Sequence, residues 1–109
     1  MTVKELALRF GYEIVCMPEP DREVEGGYAG DLLSWVMGRA KSGDAWITIM
    51  SNVNIVAVAS LADVACIILA EGVTLDENVR ATAEAKGINV FTSQKTAYEL
   101  AAGLASITR

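Results

Sequence analysis

The sequence predicts an α/β fold: a three-layer α/β/α domain with a mostly parallel sheet of about four to five strands. Three observations lead there. Helical and extended patterns alternate from residue 12 onward. The extended segments are nearly continuous apolar runs, as expected of strands covered on both faces. And 52% of the 109 residues are hydrophobic against 21% charged, which suits one packed core and leaves no room for a second ordinary domain. Residues 1–109 are therefore read as a single domain, with no linker, repeat or low-complexity segment.

The elements follow in order. Residues 2–9 form a short helix closed by Gly11. Residues 12–17 form a strand, which Pro18 and Pro20 stop because proline has no N–H for the ladder. Residues 21–30 read as a loop holding a short edge strand around Val24. Residues 32–41 form a helix, with Asp31 placed to cap it and Ser42 and Gly43 to end it. Residues 45–50 are a strand, and Ser51 and Asn52 form a turn that caps an apolar helix over 53–62. Residues 65–69 are a buried strand, followed by a turn at Glu71 and Gly72. Thr74 and Glu77 have the spacing of a capping box opening a helix that runs to Lys86. Residues 88–91 are the last strand, and a second box, Thr96 with Glu99, opens the closing helix.

Composition narrows function. Lys and Arg number 9 against 14 Asp and Glu, a net charge of −5, so neither nucleic acid nor a membrane is expected as the main partner, since both call for clustered cations. The longest apolar stretch, 54–70, is interrupted by Ser60 and Asp63 and reads as a helix followed by a strand, not a membrane span. No long apolar run follows the N-terminal residues, which predicts a chain without a secretory leader and a cytoplasmic location. Cys16 and Cys66 sit in β-type runs and are read as small buried hydrophobes. Histidine is absent, which removes the Ser-His and Cys-His nucleophile systems and the commonest metal ligand. No cofactor, metal or catalytic residue is expected.

The helices divide into two kinds. The closing helix carries Ala97, Leu100, Ala101 and Leu104 on one stripe, and the helix before it places Leu75, Val79 and Ala83 inward. Both suit one sheet face. The helix at 53–62 is apolar nearly all round, and the one at 32–41 has an apolar stripe spanning roughly 200° at about 100° per residue. A sheet covers one side only, so a second copy of the chain is the expected cover. A homodimer is predicted on Leu32, Trp35, Val36, Met37, Ile55, Val56, Val58 and Ala59. The alternative is that the two helices cover one another.

In open parallel sheets, ligands sit beyond the carboxyl ends of the strands. The residues expected there are Gly26, Gly27, Gly30 and Asp31, then Ser51, Asn52 and Asn54, then Gly72, then Thr92, Ser93 and Lys95. Glycines with small hydroxyl and amide side chains suit a nucleotide or another phosphorylated metabolite. The same residues serve equally as helix caps and turns, and Glu71 would repel an anion. The carboxylates Asp21, Glu23 and Glu25 read as a solvated loop.

Gly30-Asp31-Leu32-Leu33-Ser34, Gly43-Asp44-Ala45-Trp46-Ile47-Thr48, Asn54-Ile55-Val56-Ala57-Val58-Ala59 and Gly87-Ile88-Asn89-Val90 together resemble a DRTGG domain. That module accompanies CBS domains and phosphotransacetylases and is similar to the N-terminal domain of HPr kinase/phosphorylase. The resemblance implies a fold like that domain over nearly the whole chain, about residues 2–105. Two positions depart from the family's name. Ser51 and Asn52 stand where Asp-Arg belongs, and Ala70, Glu71 and Gly72 stand where Thr-Gly-Gly belongs, leaving only Gly72. Short stand-alone members tend to be labelled HPr serine kinases, yet no phosphate-cradling G-x-x-x-x-G-K-[ST] loop occurs here. The resemblance implies a non-catalytic regulatory or adaptor domain, sensing a small ligand or docking on a partner protein. A purely structural subunit of a metabolic or redox complex is the alternative, and phosphotransfer ranks last.

Overall fold

The computed structural model describes residues 1–108. Its elements are α1 (Val3–Phe10), β1 (Glu13–Cys16), β2 (Gly26–Ala29), α2 (Leu33–Arg39), β3 (Asp44–Thr48), α3 (Asn54–Ala62), β4 (Cys66–Leu69), α4 (Glu77–Ala85), β5 (Val90–Thr92) and α5 (Ala97–Ala105). They build one five-stranded sheet in the order β1-β5-β4-β3-β2. β2, β3, β4 and β5 are mutually parallel, and β1 alone runs antiparallel, against β5. The expected three-layer α/β/α architecture is what the chain adopts.

Side-chain alternation splits each strand between two cores. Ala45, Ile47, Cys66, Ile68 and Phe91 pack with Leu6 of α1 and with Leu100 and Leu104 of α5. Trp46, Ile67, Leu69 and Val90 pack on the other face with Val36 of α2, Ile55 and Ala59 of α3, and Val79 and Ala83 of α4. The second face thus carries three helices. No described helix is long and apolar enough to cross a membrane.

Several boundaries differ from expectation, each for a local reason. The strand placed around Val24 lies at Gly26–Ala29. Val24 itself is buried beside α1 and α5, its N–H donated to the Met1 carbonyl. α5 lies directly on Gly27: a Cβ there would come within 2.3 Å of Leu104 Cδ2. α2 begins after Leu32 with no side-chain cap, because Asp31 bonds elsewhere, and it ends at Arg39, before Ser42 and Gly43. α3 has Val53, not Ser51 or Asn52, at its N-cap, although the Asn52 amide oxygen accepts the Asn54 N–H at 2.9 Å. The box at Thr74 does not form. Asp76 caps α4 instead, accepting the Val79 N–H at 3.0 Å. The Thr96–Glu99 box of α5 forms in both directions. A further box unites Thr2 and Glu5 at α1.

The cysteines are buried and unpaired. Cys16 donates from Sγ to the Ile88 carbonyl at 3.3 Å. Burial in the apolar core pushes the Cys66 thiol up to about 12.

The surplus apolar surface of α2 and α3 is largely absorbed within the chain. Val36, Ile55, Val56, Val58 and Ala59 are sealed between the two helices, α4 and the sheet, so the protomer itself already covers them. What stays open is Leu32, Trp35 and Met37 on α2, with Val53 and Leu61 at the two ends of α3.

Candidate ligand-binding edge

Because β2 to β5 are parallel, their carboxyl ends meet at one edge. There the chain passes through Gly30 and Asp31, through residues 49–53, through 70–76, and through Ser93 to Lys95. Most expected residues gather there. Gly26 and Gly27 do not: they start β2 and pair with Asp44 and Ala45 at the opposite end of β3. Gly27 belongs to the packing of α5, and neither glycine lies at this edge.

The geometry shows how the edge is held. Trp46 donates from Nε1 to the Gly30 carbonyl at 2.9 Å, and Gly30 N–H reaches the Ile47 carbonyl at 3.1 Å. Asp31 Oδ1 accepts both the Thr48 hydroxyl at 2.7 Å and the Ile49 N–H at 3.0 Å, so this carboxylate fixes the loop after β3 in place of capping α2. Thr48 Oγ1 in turn accepts the Met50 N–H at 3.2 Å. Across the edge, Thr92 is buried and its hydroxyl donates to the Val73 carbonyl at 2.6 Å. Gly72 N–H binds the Ser93 carbonyl and Glu71 N–H the Lys95 carbonyl, each at 2.8 Å. Glu71 and Gly72 both have positive φ, 62° and 75°, and the Val73 N–H closes the turn on the Ala70 carbonyl at 3.1 Å. Such a turn has the twist a glycine tolerates freely. A Cβ on Gly72 would meet the Gln94 side chain at 2.7 Å.

Two parts of the edge remain open. The N–H groups of Ser51, Asn52 and Val53, just ahead of α3, find no acceptor among the described residues. Next to them lie the exposed side chains of Asn52 and Asn54. Farther along, Thr92, Ser93 and Lys95 line a shallow hollow of about 280 Å³ with Phe10, Gly11 and Gln94. Asp31, Glu71 and Asp76 are acids of this edge, Glu13 is a further acid lining the hollow, and Lys95 is the cation beside it. No group of three or more metal-type ligands occurs among the described residues.

Thr48 and Trp46 brace this edge, a role outside the set of site residues expected from the sequence. Their signal was available: a hydroxyl and an indole N–H at buried strand positions each need a partner, and only the adjoining loop offers one.

Comparison with known proteins gives three findings. No curated protein matches the chain. Among solved structures, the chain is similar to the CBS and DRTGG domains of the regulatory region of Clostridium perfringens pyrophosphatase, a structure in complex with its activator diadenosine tetraphosphate. The TM-score is 0.67 at 17% identity, covering 94% of this chain and 45% of that one, so the chain spans about half the length of its structural relative. That likeness is one of fold. The family model for the DRTGG domain matches residues 29–107, from the last residue of β2 through α5, and the chain belongs to the DRTGG domain family.

Proposed function

We propose that this chain is a non-catalytic regulatory or adaptor domain that works as a homodimer and senses a small ligand at the carboxyl edge of its sheet, a nucleotide or another phosphorylated molecule being the first class to test. One observation carries the reading. At that edge the hydroxyls of Thr48 and Thr92 and the carboxylate of Asp31 are spent on holding loops, while the backbone donors of residues 51–53 stay unpaired. Such an edge is suited to binding and carries no activated nucleophile or poised acid–base pair. The relative in fold supports the ligand class, since its regulatory region was crystallised with a dinucleotide activator. The unpaired cysteines support a reducing, cytosolic setting.

The test is a thermal-shift titration with AMP, ATP and diadenosine tetraphosphate. A sensor shows a saturable rise, about 2.7 kcal/mol of added stability when ligand exceeds Kd a hundredfold. Absence of saturation with every nucleotide overturns the sensing part. A second reading, a subunit acting purely through protein contact, is favoured by the exposed Leu32, Trp35 and Met37 on α2. Phosphate transfer from radiolabelled ATP to HPr by the pure protein would overturn both.

A further inference from the structure

We infer that α2, together with Gly30 and Asp31 just ahead of it, opens as a unit while the rest of the fold stays closed, and that this opening takes apart the carboxyl edge at the end of β3. What the opening regulates is the ligand site proposed above, and that part rests on the same reading; the opening itself does not.

α2 is the least anchored of the five helices. Of its seven residues only Val36 is buried, and no side chain caps its N-terminus. α1 and α5 each have a complete capping box, α4 has Asp76 as its cap, and α3 buries Ile55, Val56, Val58 and Ala59. Gly38 lies inside the last turn of α2, where glycine weakens a helix. So short a helix does not persist in water alone, and release from the body is therefore loss of the helix. Its flanking residues Leu32 and Ala40 are both extended, with ψ of 105° and 147°. Beyond Ala40 the chain is tied down separately: Asp44 Oδ2 accepts the Lys41 N–H at 2.8 Å, and the Gly43 N–H reaches the Asp63 carbonyl at 2.9 Å. A segment with so little buried apolar surface opens at less cost than the whole protein.

The opening reaches the edge through one residue. Leu32 alone separates Asp31 from α2, and its carbonyl accepts the N–H groups of both Trp35 and Val36. Just ahead of it, the Gly30 carbonyl accepts Trp46 Nε1–H, and Asp31 Oδ1 accepts the Thr48 hydroxyl and the Ile49 N–H. When α2 leaves and draws Gly30 and Asp31 with it, these three donors at the end of β3 lose their acceptors together. Trp46 and Thr48 are buried residues, and a buried donor left unpaired is costly, so the brace holds α2 down. The coupling is reciprocal. A ligand that fixes residues 49–53 presents the Ile49 N–H to Asp31 and favours the docked helix, while a released helix loosens those residues.

Hydrogen exchange followed by NMR on the full chain decides the matter. The Val36 and Ala40 amides and the Trp46 indole N–H should share one opening free energy, lower than that of the Ile67 amide in the central strand β4. Gly38→Ala, on α2 and away from the edge, should slow all three reporters about two- to fivefold. Thr48→Val, on the edge and away from α2, should speed the Val36 and Ala40 amides at least about fivefold. A Trp46 indole proton protected to the level of Ile67, or unmoved by Gly38→Ala, overturns the shared opening, as do Val36 and Ala40 amides unmoved by Thr48→Val. In a titration with diadenosine tetraphosphate, binding that slows Val36 exchange supports the regulation, and saturable binding that leaves it unchanged overturns it. If no nucleotide binds, the sensing reading falls, and the two variants still decide the coupled opening.

Discussion

The Thr48 hydroxyl donates to Asp31 Oδ1 at 2.7 Å, joining the end of β3 to the loop that leads into α2. The same carboxylate oxygen accepts the Ile49 N–H, and the same hydroxyl accepts the Met50 N–H. One carboxylate and one buried hydroxyl therefore set two neighbouring loops of the carboxyl edge. Thr48→Val keeps the shape and removes the donor, leaving Asp31 short of a partner and Met50 short of an acceptor. We expect a loss of about 1–2 kcal/mol in a urea titration. Asp31→Asn, which retains an acceptor oxygen, should cost less than Asp31→Ala.

Gly27 is under direct steric demand from Leu104, which is buried at 3% exposure. Gly27→Ala should destabilise by about 1–3 kcal/mol as α5 is pushed off β2, read as a lowered Tm by calorimetry. Leu104→Ala in the same background should relieve part of the added cost, a coupling that a double-mutant cycle measures.

Gly38 should respond in the opposite sense. Gly38→Ala, where a Cβ meets nothing within 4 Å, should stabilise the protein by up to about 0.5–1 kcal/mol, the ordinary helix preference for alanine. Chemical denaturation reads the effect.

Acid should loosen the junction of the α3 end with its neighbouring loops. Asp63 has φ 58° and holds the Ser42 hydroxyl and Arg22. These hydrogen bonds, Ser42 first and then Arg22, keep its carboxyl below the usual range. A depressed folded value means the contribution is present above the unfolded value, about 3.9, and is lost as pH falls through the folded one. The pair is largely solvated, so the contribution is small. Stability of Arg22→Gln should depend less on pH below about 4, measured by urea midpoints across that range.

The thiols should be silent in the native state. Cys66 is held protonated to about 12 by burial, and burial is also the first cause of the raised Cys16 value. A thiol reagent at pH near 8 should modify neither residue until denaturant unfolds the chain. Rapid modification under native conditions would contradict this packing.

The alternation of periods made the fold legible, because a parallel sheet covered on both faces leaves its mark in continuous apolar strands such as Cys66–Leu69. Ends of elements were less legible, since several residues have two uses. Asp31 reads as a cap and serves as a brace for Thr48. Thr74 has capping-box spacing, yet Asp76, two residues on, takes the role. Gly27 reads as part of a loop until α5 is in place above it. The apolar excess of α3 pointed outward in sequence, but α2 and α4 absorb most of it in space. Only long-range packing distinguishes these uses, and pattern along the chain does not contain it.

β1 is first of the strands in sequence, yet it pairs with β5, so that Glu13 lies against Thr92. The order of events in folding follows from that register. β2 to β4 can assemble from neighbouring segments, but the sheet cannot close until residue 92 is available to meet residue 13. Contacts of such separation slow folding and place the closing step late. The chain should fold as one cooperative unit, with hydrogen exchange in β1 and β5 reporting the same global opening.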